Sequence, residues 1–158
     1  MEQFGDVTDR LMIQDLNQKY AVHVDLHEID AWVELFTPDA TFDEREFGTP
    51  LMTGHEDIRA YGRQLAETVQ HAFHHMTTHV IMDLTGTSAR GIAFAVVEAL
   101  LNDGSQARYH VLYRDRYEKI AGTWLFSERV LKATLPPEIL ASPAQSPDNA
   151  DGAVIAGS

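Results

Sequence analysis

The sequence predicts an α+β fold: a curved antiparallel or mixed sheet wrapped around three N-terminal helices to make a cone-shaped barrel. Three observations predict it. Apolar residues in the first half recur near helical spacing, as at Leu11, Ile13, Leu16, Tyr20 and Val24. The second half carries long runs rich in Val, Ile, Phe, Tyr and Thr. Short turn signals separate those runs, which implies antiparallel hairpins.

The elements follow in order. A first helix is expected over residues 7–24, with Thr8 or Asp6 as its cap. A short second helix over 28–36 places Ile29, Trp32, Val33 and Phe36 on one side and closes before Pro38. Residues 40–43 read as a short strand, followed by a loop containing Gly48, Pro50 and Gly54. A third helix over 56–71 buries Ile58, Tyr61, Leu65 and Val69. Four strands are expected at 76–84, 91–101, 107–119 and 123–133. Their turns are Thr85-Gly86-Thr87, Asn102-Asp103-Gly104 and Ala121-Gly122. After Pro136-Pro137 the periodicity is lost. The expected organisation is one domain over 1–140 and a mobile tail over 141–158, rich in Ala, Ser, Pro, Gly and Asp.

Composition removes several classes of function. The 158 residues suffice for one domain with a sizeable core, and 44% are hydrophobic. A net charge of -12 argues against nucleic acid and anionic membrane as partners, because both select basic patches. The absence of cysteine excludes disulfides, thiolate nucleophiles and cysteine-ligated zinc. The opening MEQFGDVTDR has no apolar core of a signal peptide, and no apolar run approaches the roughly 20 residues of a membrane helix. A cytoplasmic location is expected.

Acid–base chemistry is concentrated in two segments. Asp25 ends the first helical pattern in Tyr20-Ala21-Val22-His23-Val24-Asp25. His75 stands in His74-His75-Met76-Thr77-Thr78-His79, where a strand begins. A carboxylate can hold an imidazole in one tautomer and stabilise its cation, and such an imidazole takes protons near neutral pH. Strict alternation puts His75, Thr77 and His79 on one face and His74 and Met76 on the other, which makes His74 the alternative base. Two histidines with no carboxylate on their strand make a thin metal site, so no metal is expected. Arg129 shares a strand face with Leu125, Ser127 and Leu131. There it either neutralises Asp115 or Glu128 or steadies a developing anion. Tyr20 is either core packing or a general acid. His23, His27, His110 and Tyr113 are candidates to line a cavity, as is His79, while Glu28 and Asp30 suit the start of the second helix.

Several segments together resemble the SnoaL-like branch of the nuclear transport factor two-like family. They are Met12-Ile13-Gln14-Asp15-Leu16, then Leu35-Phe36-Thr37-Pro38-Asp39-Ala40-Thr41-Phe42, then Asp115-Arg116-Tyr117-Glu118 with Gly122-Thr123-Trp124 and Phe126-Ser127-Glu128-Arg129. The resemblance covers about residues 7–134 and looks nearest to dehydrochlorinase and dehydratase members. It implies a catalytic set of Asp25, His75, Arg129 and Tyr20, and no cofactor; beside it, His23, His79, His110 and Tyr113 are the residues expected to bind substrate. The function it implies is a cofactor-independent lyase, dehydratase or isomerase acting on a small, largely apolar substrate. A non-catalytic ligand-binding or dimerisation module of the same fold is the alternative, and epoxide hydrolysis ranks lower for want of a second Asp. The long alternating strands would leave an apolar sheet face bare, so a homodimer or homotrimer is expected.

Overall fold

The computed structural model describes residues 2–142, with side chains from Asp6 onward. Helix α1 (Glu2–Asp25) buries Ile13, Leu16, Asn17, Tyr20 and Ala21 along one stripe, at the three-and-four spacing seen in the sequence. His27 then adopts a left-handed φ of 55°. That turn lets the amides of Leu26, His27 and Glu28 donate to the carbonyls of Val22, Val24 and His23, which satisfies the open end of the helix. Helix α2 (Ile29–Val33) buries Trp32 and Val33.

Strand β1 (Phe36–Asp43) begins earlier than expected and runs through Pro38. A proline has no N–H for the ladder, and the pairing of β1 is irregular between Phe36 and Thr41. The segment expected as a loop contains a short 3-10 turn at Arg45–Phe47 and strand β2 (Leu51–Thr53). Helix α3 (Gly54–Thr68) stops short of the expected end. Strand β3 (Val69–Met82) takes over, because Val69 and His71 pair with Leu101 and Leu100. Here sheet pairing overrides local helical spacing.

Strands β4 (Ser88–Leu101), β5 (Gln106–Ile120) and β6 (Thr123–Ala133) make the expected meander. The β5–β6 turn places Ala121 and Gly122 at φ 48° and 85°, the backbone a tight two-residue hairpin requires. Strand β7 (Glu138–Ala141) lies where periodicity was expected to be lost and pairs with the start of β5. The rest of the expected tail, residues 143–158, lies outside the described residues.

The sheet order is β2-β1-β6-β5-β4-β3, with β7 beside β5. Only β1 and β6 run parallel among these pairs. The sheet stays open, and the helices occupy its concave side, giving a cone-shaped α+β fold. The buried positions along the first part of β4 are small: Ala89, Gly91, Ala93 and Ala95. Facing positions of β5 are large: Val111, Tyr113 and Tyr117. Small against large is what lets a curved sheet close on helices without filling its whole interior. Gly91 is required, since a Cβ there would lie 2.8 Å from Cε2 of Tyr117. Among the described residues no helix is long and apolar enough to cross a membrane.

Candidate active site

The cone holds a cavity of about 580 Å³. Tyr20, His23, Val24 and His27 enter from the end of α1, Trp32 from α2, and Tyr61 and Leu65 from α3. The sheet contributes Phe42, His74, Val97, Val111, Tyr113 and Leu131, among others. No Lys or Arg is among the lining residues.

The acid expected at the end of the first helix is in place, but its partner is His74. Oδ1 of Asp25 lies 2.5 Å from Nδ1 of His74, and Oδ2 accepts the His74 backbone N–H at 2.8 Å. The carboxylate thus grips both the main chain and the ring. Side-chain exposures of 16% for Asp25 and 10% for His74 keep the pair largely out of bulk water. His75 is exposed on the opposite face, its ring edge-on to Phe73 at 4.3 Å. The expectation of His75 in the pair is therefore corrected by one residue.

A β-bulge explains the shift. Met76 pairs with Ala95, whereas His79 pairs with Ala93, so three steps on β3 match two on β4. Thr77 and Thr78 both face outward, and the inward positions change from even to odd. His74 and His79 consequently both point inward, although strict alternation separates them. His79 lies beyond the cavity wall, with Nε2 at 3.1 Å from the Tyr117 hydroxyl and 3.4 Å from Nδ2 of Asn17. Burial lowers its pKa, against the pull of Asp115.

Tyr20 is buried at the cavity wall, its ring edge-on to His74 at 6.1 Å. Burial raises its pKa well above the ordinary phenol range. His23 lines the cavity with Nδ1 2.5 Å from Glu28. Tyr113 also lines it and is fully buried, and its hydroxyl has no partner among the described residues. His110 is on the other face of β5, away from the cavity.

Arg129 is not on the cavity wall. It is fully buried, and its guanidinium donates to both oxygens of Asp115, at 2.9 and 3.0 Å, and to Oδ1 of Asn17 at 2.5 Å. Its carbon centre lies 4.1 Å from the Tyr20 ring and 4.3 Å from the Tyr113 ring. Burial alone would lower its pKa, but Asp115 outweighs that and the net shift is upward. Of the two expected roles, the geometry matches pairing with Asp115.

Three cavity residues escaped the sequence reading as chemical groups. Trp32 Nε1 and Thr49 Oγ1 are buried without a partner among the described residues. Glu44 lines the wall and accepts a hydrogen bond from the Tyr61 hydroxyl. Burial pushes its carboxyl up to about 7, while the Tyr61 bond pulls it down. A signal for Glu44 was present: Ala40, Phe42 and Glu44 alternate, so a carboxylate continues the inward apolar series. Among the described residues no three His, Asp or Glu side chains gather closely enough to hold a metal ion.

Solved structures with the same fold include a proposed aromatic ring hydroxylase from Novosphingobium aromaticivorans. It is 27% identical, with a TM-score of 0.81 over 84% of this chain and 94% of that one. A proposed scytalone dehydratase from the same organism is 17% identical, with a TM-score of 0.80 over 93% and 97%. A hexachlorocyclohexane dehydrochlorinase from Novosphingobium barchaimii is 18% identical, with a TM-score of 0.79 over 92% and 99%. At these last two identities the likeness is one of fold. No curated protein sequence matches the chain. The SnoaL-like domain profile matches residues 5–130, and the chain belongs to the SnoaL-like domain family, a branch of the nuclear transport factor two-like cone folds.

Proposed function

We propose that the protein is a cofactor-independent lyase or isomerase that removes a proton from a small, uncharged, largely apolar ring substrate. The observation that carries this reading is the Asp25 carboxylate bridging the backbone and ring of His74 at the wall of the cavity. With Nδ1–H donated to Asp25, Nε2 keeps its lone pair for the substrate, and the carboxylate stabilises the imidazolium that forms. A cavity of about 580 Å³ suits a bicyclic or polycyclic molecule. A lining in which none of the described residues is Lys or Arg disfavours an anion. The unpartnered groups of Trp32, Thr49 and Tyr113 suit a ligand bearing hydroxyl or keto oxygens. The dehydratase and dehydrochlorinase among the structural relatives support elimination as the reaction type.

The test is proton exchange at carbon. The protein is incubated with 1-tetralone in deuterated buffer, and deuterium entry beside the carbonyl is followed by NMR. Exchange above the buffer rate, lost in His74→Ala, is the expected result. No exchange above buffer, or exchange unchanged in His74→Ala, would favour a non-catalytic ligand-binding module.

A further inference from the structure

The cavity wall carries a second titratable group besides the Asp25–His74 pair. His74 is carried by the edge strand β3, whereas Glu44 follows β1, next to the other edge of the sheet. The curl of the sheet brings both to one cavity. Glu44 is held by a single polar contact, the hydroxyl of Tyr61 on Oε2, which leaves Oε1 available. The groups facing it are phenols: Tyr20 from α1, Tyr61 from α3 and Tyr113 from β5 each feel its charge. The nearby cations are engaged elsewhere, Arg45 with Asp43 at 2.8 Å and Lys132 with Glu46 at 3.1 Å. A carboxyl so placed has nothing to neutralise its anion, and burial pushes it up to about 7. A catalytic acid is most effective with a pKa near the working pH.

We infer that Glu44 is the general acid of the site, delivering a proton to the leaving hydroxyl of the substrate while His74 takes one from carbon. This rests on the reading of His74 as the base, and it narrows the substrate to a β-hydroxy carbonyl compound and the reaction to dehydration. In the step, Nε2 of His74 takes the proton beside the carbonyl, and the C–H electrons become the new C=C bond. The C–O bond breaks with its electron pair on oxygen, which accepts the Glu44 proton and departs as water. His74 is left as a cation and Glu44 as an anion. Transfer of one proton between them through solvent restores the starting state. Tyr61, its own pKa raised by burial and by Glu44, remains the donor that fixes the acid.

The test compares two leaving groups on one skeleton. Water needs a proton to depart and chloride does not. Wild type, His74→Ala and Glu44→Gln are assayed on 3-hydroxy-1-tetralone and 3-chloro-1-tetralone, and the carboxyl-stretch infrared band is titrated between pH 5 and 9. Glu44→Gln is expected to lose roughly 100-fold or more on the hydroxy ketone and far less on the chloro ketone. His74→Ala is expected to lose both. A protonated carboxyl band titrating near pH 7 in wild type should be missing from Glu44→Gln. Equal losses on the two ketones, or full activity of Glu44→Gln on the hydroxy ketone, overturn the assignment. So does absence of the titrating band, whether or not either ketone is turned over. Failure of the base reading is distinct: His74→Ala would then match wild type.

Discussion

Replacing Glu44 with Gln should stabilise the protein at alkaline pH relative to acid pH. The carboxyl is raised from 4.5 to about 7 in the folded state. Because the folded pKa exceeds the unfolded one, the folded state binds the extra proton between those values. The stability this confers is fully present below about 4.5 and is lost as pH rises through about 7. The whole loss is about 3 kcal/mol, from 1.36 kcal/mol per pKa unit. Between pH 5 and 8.5 it is about 2–3 kcal/mol, because part of the unfolded-state ionisation has already occurred by pH 5. Gln keeps the size of the side chain and an oxygen for Tyr61, but it does not titrate. Urea denaturation of both proteins at pH 5 and 8.5 measures the effect as a difference of differences, in which other titrating groups cancel. The free-energy gap between variant and wild type should widen by about 2–3 kcal/mol in favour of Gln at pH 8.5. A gap that stays constant within about 0.5 kcal/mol would refute the account of Glu44 as a buried carboxyl without a cation.

Further outcomes follow from other parts of the structure. Asp115→Asn leaves the fully buried Arg129 without its counter-ion and should cost about 3–5 kcal/mol in urea unfolding; a cost under about 1 kcal/mol would contradict that pairing. Gly91→Ala drives a Cβ to 2.8 Å from the Tyr117 ring and should cost about 1–3 kcal/mol by thermal unfolding, with no loss counting against the tight β4–β5 contact. Phe73, Val80 and Phe94 are exposed on the sheet, and light scattering at micromolar concentration should find a dimer or trimer rather than a monomer.

The fold was legible because its signals are periodic and local. The three-and-four spacing of Ile13, Leu16 and Tyr20 survives directly as the buried stripe of α1, and Ala121-Gly122 survives as the hairpin turn. The end of α3 was not legible, since Val69 continues the helical spacing of Ile58, Tyr61 and Leu65 yet pairs with Leu101 across the sheet. Asp25 could be located because it ends a helix. Its partner was misplaced by one residue because the bulge after Met76 is set by pairing with β4, a partner far along the chain. The two readings of Arg129 stayed open in the sequence because its neighbours Asp115 and Asn17 come from other elements. Glu44 continues the alternation of Ala40 and Phe42, but its shifted carboxyl depends on Tyr61 from another element, which that alternation alone does not announce.

Whether Asp25 and His74 form the base of the site is decided by setting His74→Ala beside His75→Ala in the tetralone exchange assay. His74→Ala should slow exchange by roughly 10²- to 10⁴-fold, while His75→Ala, altered only on the exposed face of β3, should exchange at the wild-type rate. Loss in His75→Ala with His74→Ala unaffected would contradict that role for His74.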